Sequence, residues 1–231
     1  MNLYKKALDN VNERIQKACE AVGRNPDEIT LVAVSKTYPT DAIKAVYDLG
    51  IRHFGENRVQ ELVPKMEELN EYEDIEWHMI GTLQTNKIKY LVDRVNWIDS
   101  IPKLKALKEI EKRASGVDRV IKTMIQVNIS DEDQKSGCDF NDLQPILDYA
   151  ASCNHLTVNG LMGIASFTDD LSVVGKEFAS LYKNYQEFRK KQLVNCPLGE
   201  LSMGMTNDLE VAIREGSTMI RVGTAIFGAR D

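Results

Sequence analysis

The sequence predicts an α/β fold: a single (β/α)8 TIM-type barrel with one extra helix at its N-terminal end. Three observations predict it. Short strand-like runs recur along the chain, helical stripes separate them, and no Pro/Ser-rich linker divides the 231 residues. Repeated βα units imply a parallel sheet, and eight of them in a chain of about 250 residues suit a closed barrel. An open doubly wound sheet is the alternative. Residues 1–231 are expected to form one domain.

The elements follow in order. Residues 2–22 place Leu3, Ala7, Leu8, Val11, Ile15, Ala18 and Val22 on one helical stripe, which Gly23 and Pro26 end. The run at 29–35 is apolar and β-branched, as a buried parallel strand requires. A helix at 40–49 stops at Gly50, and a short strand lies near 51–54. Then come a helix at 57–70, a strand at 75–80, a short helix near 86–92 and a strand at 95–98. A helix at 102–114 ends near Gly116, and strand 121–128 follows. A polar connection at 130–140 leads to helix 141–152. Strand 156–162 precedes a long helix at 172–192. Strands near 199–202 and 217–222 flank a helix at 207–215.

Composition narrows the function classes. Apolar residues make up 43% and charged residues 28%, ordinary for a water-soluble globular chain. The net charge of −6 argues against a general nucleic-acid or anionic-membrane surface, but leaves room for a local basic pocket. The first ten residues lack a signal-peptide apolar run, and no window approaches the roughly 18 apolar residues of a membrane span. Cys19, Cys138, Cys153 and Cys196 form no C-x-x-C pair, so free thiols in a reducing cytoplasm are expected and a zinc site is not.

The chemistry gathers at strand ends. Barrel active sites sit where the βα loops converge, at the C-terminal ends of the strands. Lys36 lies just past the first strand, where partial burial near other cations would make it a nucleophilic amine. An isolated lysine there would be read as a solvated one. The last two strands change the balance. Residues 202–208, from Ser202 to Asp208 with Gly204 among them, follow the seventh strand and open a helix. Arg221, Gly223 and Thr224 follow the eighth. Phosphate sites in barrels are often built there, from backbone N–H groups that glycine lets approach closely. Thr206, Asn207 and Asp208 are also ordinary helix starters, and capping is compatible with anion binding. Ring closure would set the first strand beside the eighth. An amine, an anion cradle and a guanidinium would then share one mouth. Those are the groups that pyridoxal 5′-phosphate (PLP) needs for its aldehyde, its phosphate and its pyridine nitrogen.

Five blocks, in order, carry a resemblance: VAVSKT (32–37); FGEN (54–57); WHMIG with LQTNK (77–81, 83–87); LMGIA (161–165); and LSMGMTND with RVGTAIFG (201–208, 221–228). With them the chain resembles the PLP homeostasis proteins, relatives of the N-terminal domain of bacterial alanine racemase. The resemblance implies that Lys36 forms the Schiff base. Ser202, Gly223 and Thr224 would hold the phosphate, with Gly204 close by. Arg221 would face the pyridine nitrogen, and Asn57 would line the pocket. A permanent cation cannot take a proton from the ring, so Arg221 would make bound PLP a poor electron sink.

The resemblance further implies a cytoplasmic, monomeric PLP carrier and buffer without strong catalysis, delivering PLP to apo PLP-dependent enzymes. No catalytic residue and no metal are expected. The alternative is an amino-acid racemase; against it, the chain stops shortly after the eighth strand, without the second domain of alanine racemase. A sugar-phosphate barrel enzyme using Lys36 for another Schiff base would share the cradle but not the five blocks. His78 is expected either at the mouth or packed beside Trp77. Lys87 either attracts phosphate or is solvated, Glu56 either orients a neighbour or caps a helix, and Tyr38 is a weak proton-donor candidate. Asp131, Glu132 and Asp133 read as a solvated loop, and the eight methionines as core filler and pocket wall.

Overall fold

The computed structural model describes residues 3–130 and 136–228. Helix α1 (Leu3–Glu20) buries Leu8, Val11, Ile15, Ala18 and Cys19, the i, i+3, i+4 stripe expected from the sequence. Each fully buried aliphatic of that stripe contributes about 1.5–3 kcal/mol. Gly23 then turns the chain at φ +68°, a left-handed conformation that a side chain would strain.

Eight strands close a barrel among the described residues. They are β1 (Thr30–Val34), β2 (His53–Glu56), β3 (Glu76–Met79), β4 (Trp97–Ile101), β5 (Ile121–Val127), β6 (Leu156–Gly163), β7 (Glu200–Ser202) and β8 (Met219–Val222). Every neighbouring pair is parallel, and the ring shuts where Thr30 to Ala33 pair with Met219 to Val222. The open-sheet alternative is therefore excluded. Helices α2 (Thr40–Tyr47), α3 (Val59–Glu68), α4 (Leu104–Ser115), α5 (Leu143–Ala150), α6 (Leu171–Arg189) and α7 (Leu209–Arg214) connect strands. Helix α8 (Thr224–Phe227) follows the last one. α1 packs across α7 and α8, beside the β8–β1 closure.

Closure divides the apolar interior in two. The larger core lies between strands and helices. Inside the ring, Val32, Trp97, Met124, Met162 and Met219 form a separate cluster.

Among the differences from the sequence reading, three have a clear physical reason. The strand read at 51–54 is β2, two residues later. Gly55 and Glu56 look unlike strand residues. Yet a Cβ at Gly55 would come within 3.1 Å of the Val32 and Ile80 side chains, a tight contact that glycine avoids. The strand read at 95–98 extends through Ile101, with Asp99 and Ser100 fully buried in it. The short helix read at 86–92 is a 3-10 helix, Thr85–Tyr90, which buries Ile88 alone and so lacks a stripe to hold α geometry.

Candidate functional site: the mouth of the barrel

The C-terminal ends of β1, β2, β7 and β8 surround a cavity of about 940 Å³. Lys36, Asn57, Arg221, Gly223 and Thr224 line it. Ser202 and Gly204 lie buried behind its wall.

Lys36 sits two residues past β1 and is half-buried. The strand end beneath it is tied to β2: the Ser35 N–H donates to the Gly55 carbonyl at 3.0 Å. The Ser35 hydroxyl donates to Glu56 Oε1 at 2.6 Å, and Lys65 Nζ donates to the same oxygen at 2.7 Å. Burial pushes the Glu56 carboxyl up, opposed by those two hydrogen bonds. Glu56 thus orients its neighbours and does not cap α3, whose first turn is preceded by Arg58. Tyr38 also lines the cavity, and its hydroxyl donates to the Gly228 carbonyl at 2.7 Å.

Arg221 is buried inside the ring. Its Nη1 donates to the Ser202 hydroxyl oxygen at 2.5 Å and its Nη2 to the Gly163 carbonyl at 3.0 Å. Burial pulls the guanidinium pKa down, opposed by the charges of Asp99 and Asp208. Arginine still keeps its proton in proteins. The result is a fixed cation with its fork immobilised, facing the cavity from β8.

The anion side is made of turns. The Arg221 N–H donates to the Gly204 carbonyl at 3.1 Å. Gly204 has φ +91°, and a Cβ there would meet the Ala212 Cβ at 2.4 Å, so neither conformation nor space admits a side chain. Asp208 Oδ1 accepts from the Met205 N–H at 2.5 Å, closing the turn ahead of α7. Burial pushes the Asp208 carboxyl up, opposed by that N–H and by Arg221.

Sequence reasoning missed Arg14. It reaches from α1 to the cavity, forks onto Glu210 at 2.6 and 2.8 Å, and donates to the Thr206 carbonyl at 2.7 Å. Nothing in the βα repeat marks it, because α1 lies outside that repeat. Also missed was the segment after β6, where Phe167 is fully exposed on the cavity rim and Ser166 is pinned to Glu177 at 2.7 and 2.5 Å.

His78 does not line the mouth and does not pack on Trp77. It is fully buried inside the ring, stacked on Trp97 with ring centroids 5.2 Å apart. Its Nδ1 lies 2.8 Å from Asp99 Oδ2 and its Nε2 lies 3.0 Å from His53 Nδ1. Lys87 is half-buried, with its ammonium 5.9 Å from the Tyr90 ring centre, away from the cavity lining. Met162 and Met205 are pocket wall, as expected, while Asp131, Glu132 and Asp133 lie outside the described residues. All four cysteines are buried free thiols, and burial pushes Cys138 up to about 12. None can serve as a thiolate nucleophile at neutral pH. Among the described residues no His, Cys, Asp and Glu group could hold a metal ion, and no helix is long and apolar enough to cross a membrane.

The donor set fits a phosphorylated aldehyde: the Lys36 amine, the fixed Arg221 guanidinium with Arg14 at the rim, glycine turns and a threonine hydroxyl around one cavity. Known proteins agree. The family described as "Alanine racemase, N-terminal domain" matches residues 7–231. The pyridoxal phosphate homeostasis protein of Aquifex aeolicus is 41% identical over 223 residues, 96% of each chain. The chain belongs to the pyridoxal phosphate homeostasis proteins. The Escherichia coli K12 member is 38% identical over 240 residues, covering 100% of this chain and 98% of that one. PipY of Synechococcus elongatus, a structure with PLP bound, superposes with a TM-score of 0.81 at 34% identity, covering 93% of this chain and 100% of that one. Alanine racemase from E. faecalis shares the fold at TM-score 0.68 and 16% identity, over 58% of its own length. The homeostasis proteins thus set this chain's family, and the racemase likeness speaks for the barrel alone.

Proposed function

We propose that this chain binds PLP through Lys36 and acts as an intracellular PLP carrier and buffer, supplying apo PLP-dependent enzymes. One observation carries the reading: Lys36 from β1 and Arg221, Gly223 and Thr224 from β8 line a single cavity. Relatives named pyridoxal phosphate homeostasis proteins, and the PLP-bound PipY structure, support the same ligand.

Bound PLP would supply a reactive aldehyde. Lys36, whose side chain lines the cavity, would be the amine that holds the aldehyde end. Thr224 and the Gly223 backbone would hold the phosphate. Ser202 and Gly204 shape the cradle from behind, the one by fixing the guanidinium fork and the other by the path of its backbone. Asn57 borders the ring from β2. Arg221 would face the pyridine nitrogen as a donor that has no lone pair to receive a proton. Protonated pyridine is then disfavoured, and carbanion chemistry with it. Storage and release suit such a site better than turnover, and a monomer suits delivery.

The test is spectroscopic and chemical. Protein incubated with PLP should absorb in the visible, and borohydride should fix the cofactor to the peptide bearing Lys36. Lys36→Ala should lose both, with PLP affinity down at least tenfold. A Lys36→Ala protein with the full visible band would overturn the lysine assignment. Transfer is tested by mixing loaded protein with an apo PLP-enzyme; activation no faster than that from released PLP would remove the delivery role. Rapid conversion of L-alanine to the D form, read by chiral chromatography, would replace the carrier with a racemase.

A further inference from the structure

We propose that Glu61 and Lys65, one turn apart on α3, are positioning residues that clasp the backbone on both sides of Lys36. The inference rests on the reading above, that Lys36 is the amine that takes the aldehyde.

A side chain's direction is set by the two peptide groups that bracket its Cα. For Lys36, both are held by α3. The Ser35 carbonyl, in the preceding peptide, accepts from Lys65 Nζ at 2.9 Å. The Thr37 N–H, in the following peptide, donates to Glu61 Oε2 at 2.9 Å. Residues 61 and 65 are four apart, so they share a helix face. The Tyr38 N–H closes the turn onto the Ser35 carbonyl at 3.1 Å.

This turn is strained. Thr37, its third residue, has φ +70°. A positive φ at that place marks a type II turn, where glycine is the usual occupant. For a β-branched residue it is disfavoured. A charge-assisted hydrogen bond at the same peptide offsets such strain. Glu61 supplies it at the strained residue itself.

Lys65 is held in turn. Its ammonium also meets Glu56 Oε1 at 2.7 Å, with the Lys65 side chain 11% exposed and that of Glu56 fully buried. A buried pair sets direction, since neither group can swing into water without leaving the other uncompensated. Arg58 lies 3.8 Å from Glu61 Oε1, a looser brace on the open side. α3 therefore anchors at β2 through Glu56 and carries Lys36 at the end of β1.

The anion cradle has no part in this clasp, and that separates the predictions. Glu61→Ala should weaken binding of both PLP and unphosphorylated pyridoxal about tenfold, read by visible absorbance. Binding of inorganic phosphate should stay within twofold. Thr37→Gly added to Glu61→Ala should restore pyridoxal binding to within threefold of wild type, because glycine takes positive φ without strain. The Lys65 arm is tested as Glu56→Gln with Lys65→Met, which removes the buried charges together so that neither is left unpaired, with folding checked by its urea melt. It should lower pyridoxal binding and slow the rate of covalent capture by borohydride.

Wild-type pyridoxal affinity in both Glu61→Ala and the double variant would overturn the proposal. Failure of Thr37→Gly to rescue, with binding and unfolding stability falling together, would give Glu61 a structural role and also overturn it. Trapping of the cofactor on a different lysine in wild-type protein would instead overturn the reading beneath it, whatever the α3 variants do.

Discussion

On the β1–β2 side of the mouth, side chains do the positioning. Ser35, Glu56, Glu61 and Lys65 fix the turn that carries Lys36, and Thr37 takes a left-handed conformation to complete it. On the β7–β8 side, backbone does it. Gly204 turns at φ +91°, Gly223 stands ahead of α8, and the Arg221 N–H is tied to the Gly204 carbonyl. The chemistry of the two ligand groups explains the contrast. A covalent partner needs one atom aimed accurately, and aiming is done by fixing two peptide planes. A phosphate needs several donors around a sphere, and close backbone approach supplies them.

The comparison can be broken from either side. Gly204→Ala should have the largest effect. The added Cβ faces the Ala212 Cβ at 2.4 Å in a backbone conformation that alanine disfavours. A loss of about 2–4 kcal/mol in unfolding free energy is expected, read from urea melts, together with weakened phosphate binding. Pyridoxal, which needs no cradle, should still bind with near wild-type affinity. If pyridoxal and phosphate binding fell in equal proportion, the two sides would not be separate devices.

Acid should act below both sides. His53 is held down from the ordinary 6.5 to about 4, by burial first and then by neighbouring His78. Between those values the unfolded chain binds a proton that the folded chain refuses, so stability falls as pH falls. His53 is part-exposed, so the discounted loss is about 1–2 kcal/mol between pH 7 and pH 4. Urea midpoints across that range should show it, and His53→Asn should flatten the slope. An unchanged slope would mean that another group sets the acid response.

The smallest effect is expected from Tyr38→Phe. It removes the hydroxyl donated to the Gly228 carbonyl but keeps the ring stacked on Phe227, centroids 4.9 Å apart. A loss of roughly 0.5–1.5 kcal/mol is expected, with the visible band intact. Loss of the band would give the hydroxyl a direct part at the cofactor.

Much of the site was legible because its residues fall at strand ends. VAVSKT puts Lys36 past β1, and RVGTAIFG puts Arg221 and Thr224 at the eighth strand's end, Arg221 proving to lie within β8; closure brings both ends to one cavity. Glu61 and Lys65 were not legible. On sequence they are two charges on an amphipathic helix, and a solvated face is the ordinary reading of such a pattern. Arg14 was hidden in the same way on α1. His78 was placed wrongly because Trp77 precedes it in sequence, whereas adjacent strand residues point to opposite faces and the true stacking partner comes from β4.

The amino-acid sequence by itself determined the alternation of strands and helices, the parallel barrel, and the family blocks that bring a lysine and an arginine to the same end. Apolar periodicity and glycine are local signals, readable without knowing what packs where. Only the tertiary structure decided that Glu56, Asp99 and Ser100 belong inside strands, that Ser202 holds the arginine fork, and that α3 grips the lysine turn. A buried polar group is tolerated when a partner arrives from a distant element, and that partner is invisible along the chain.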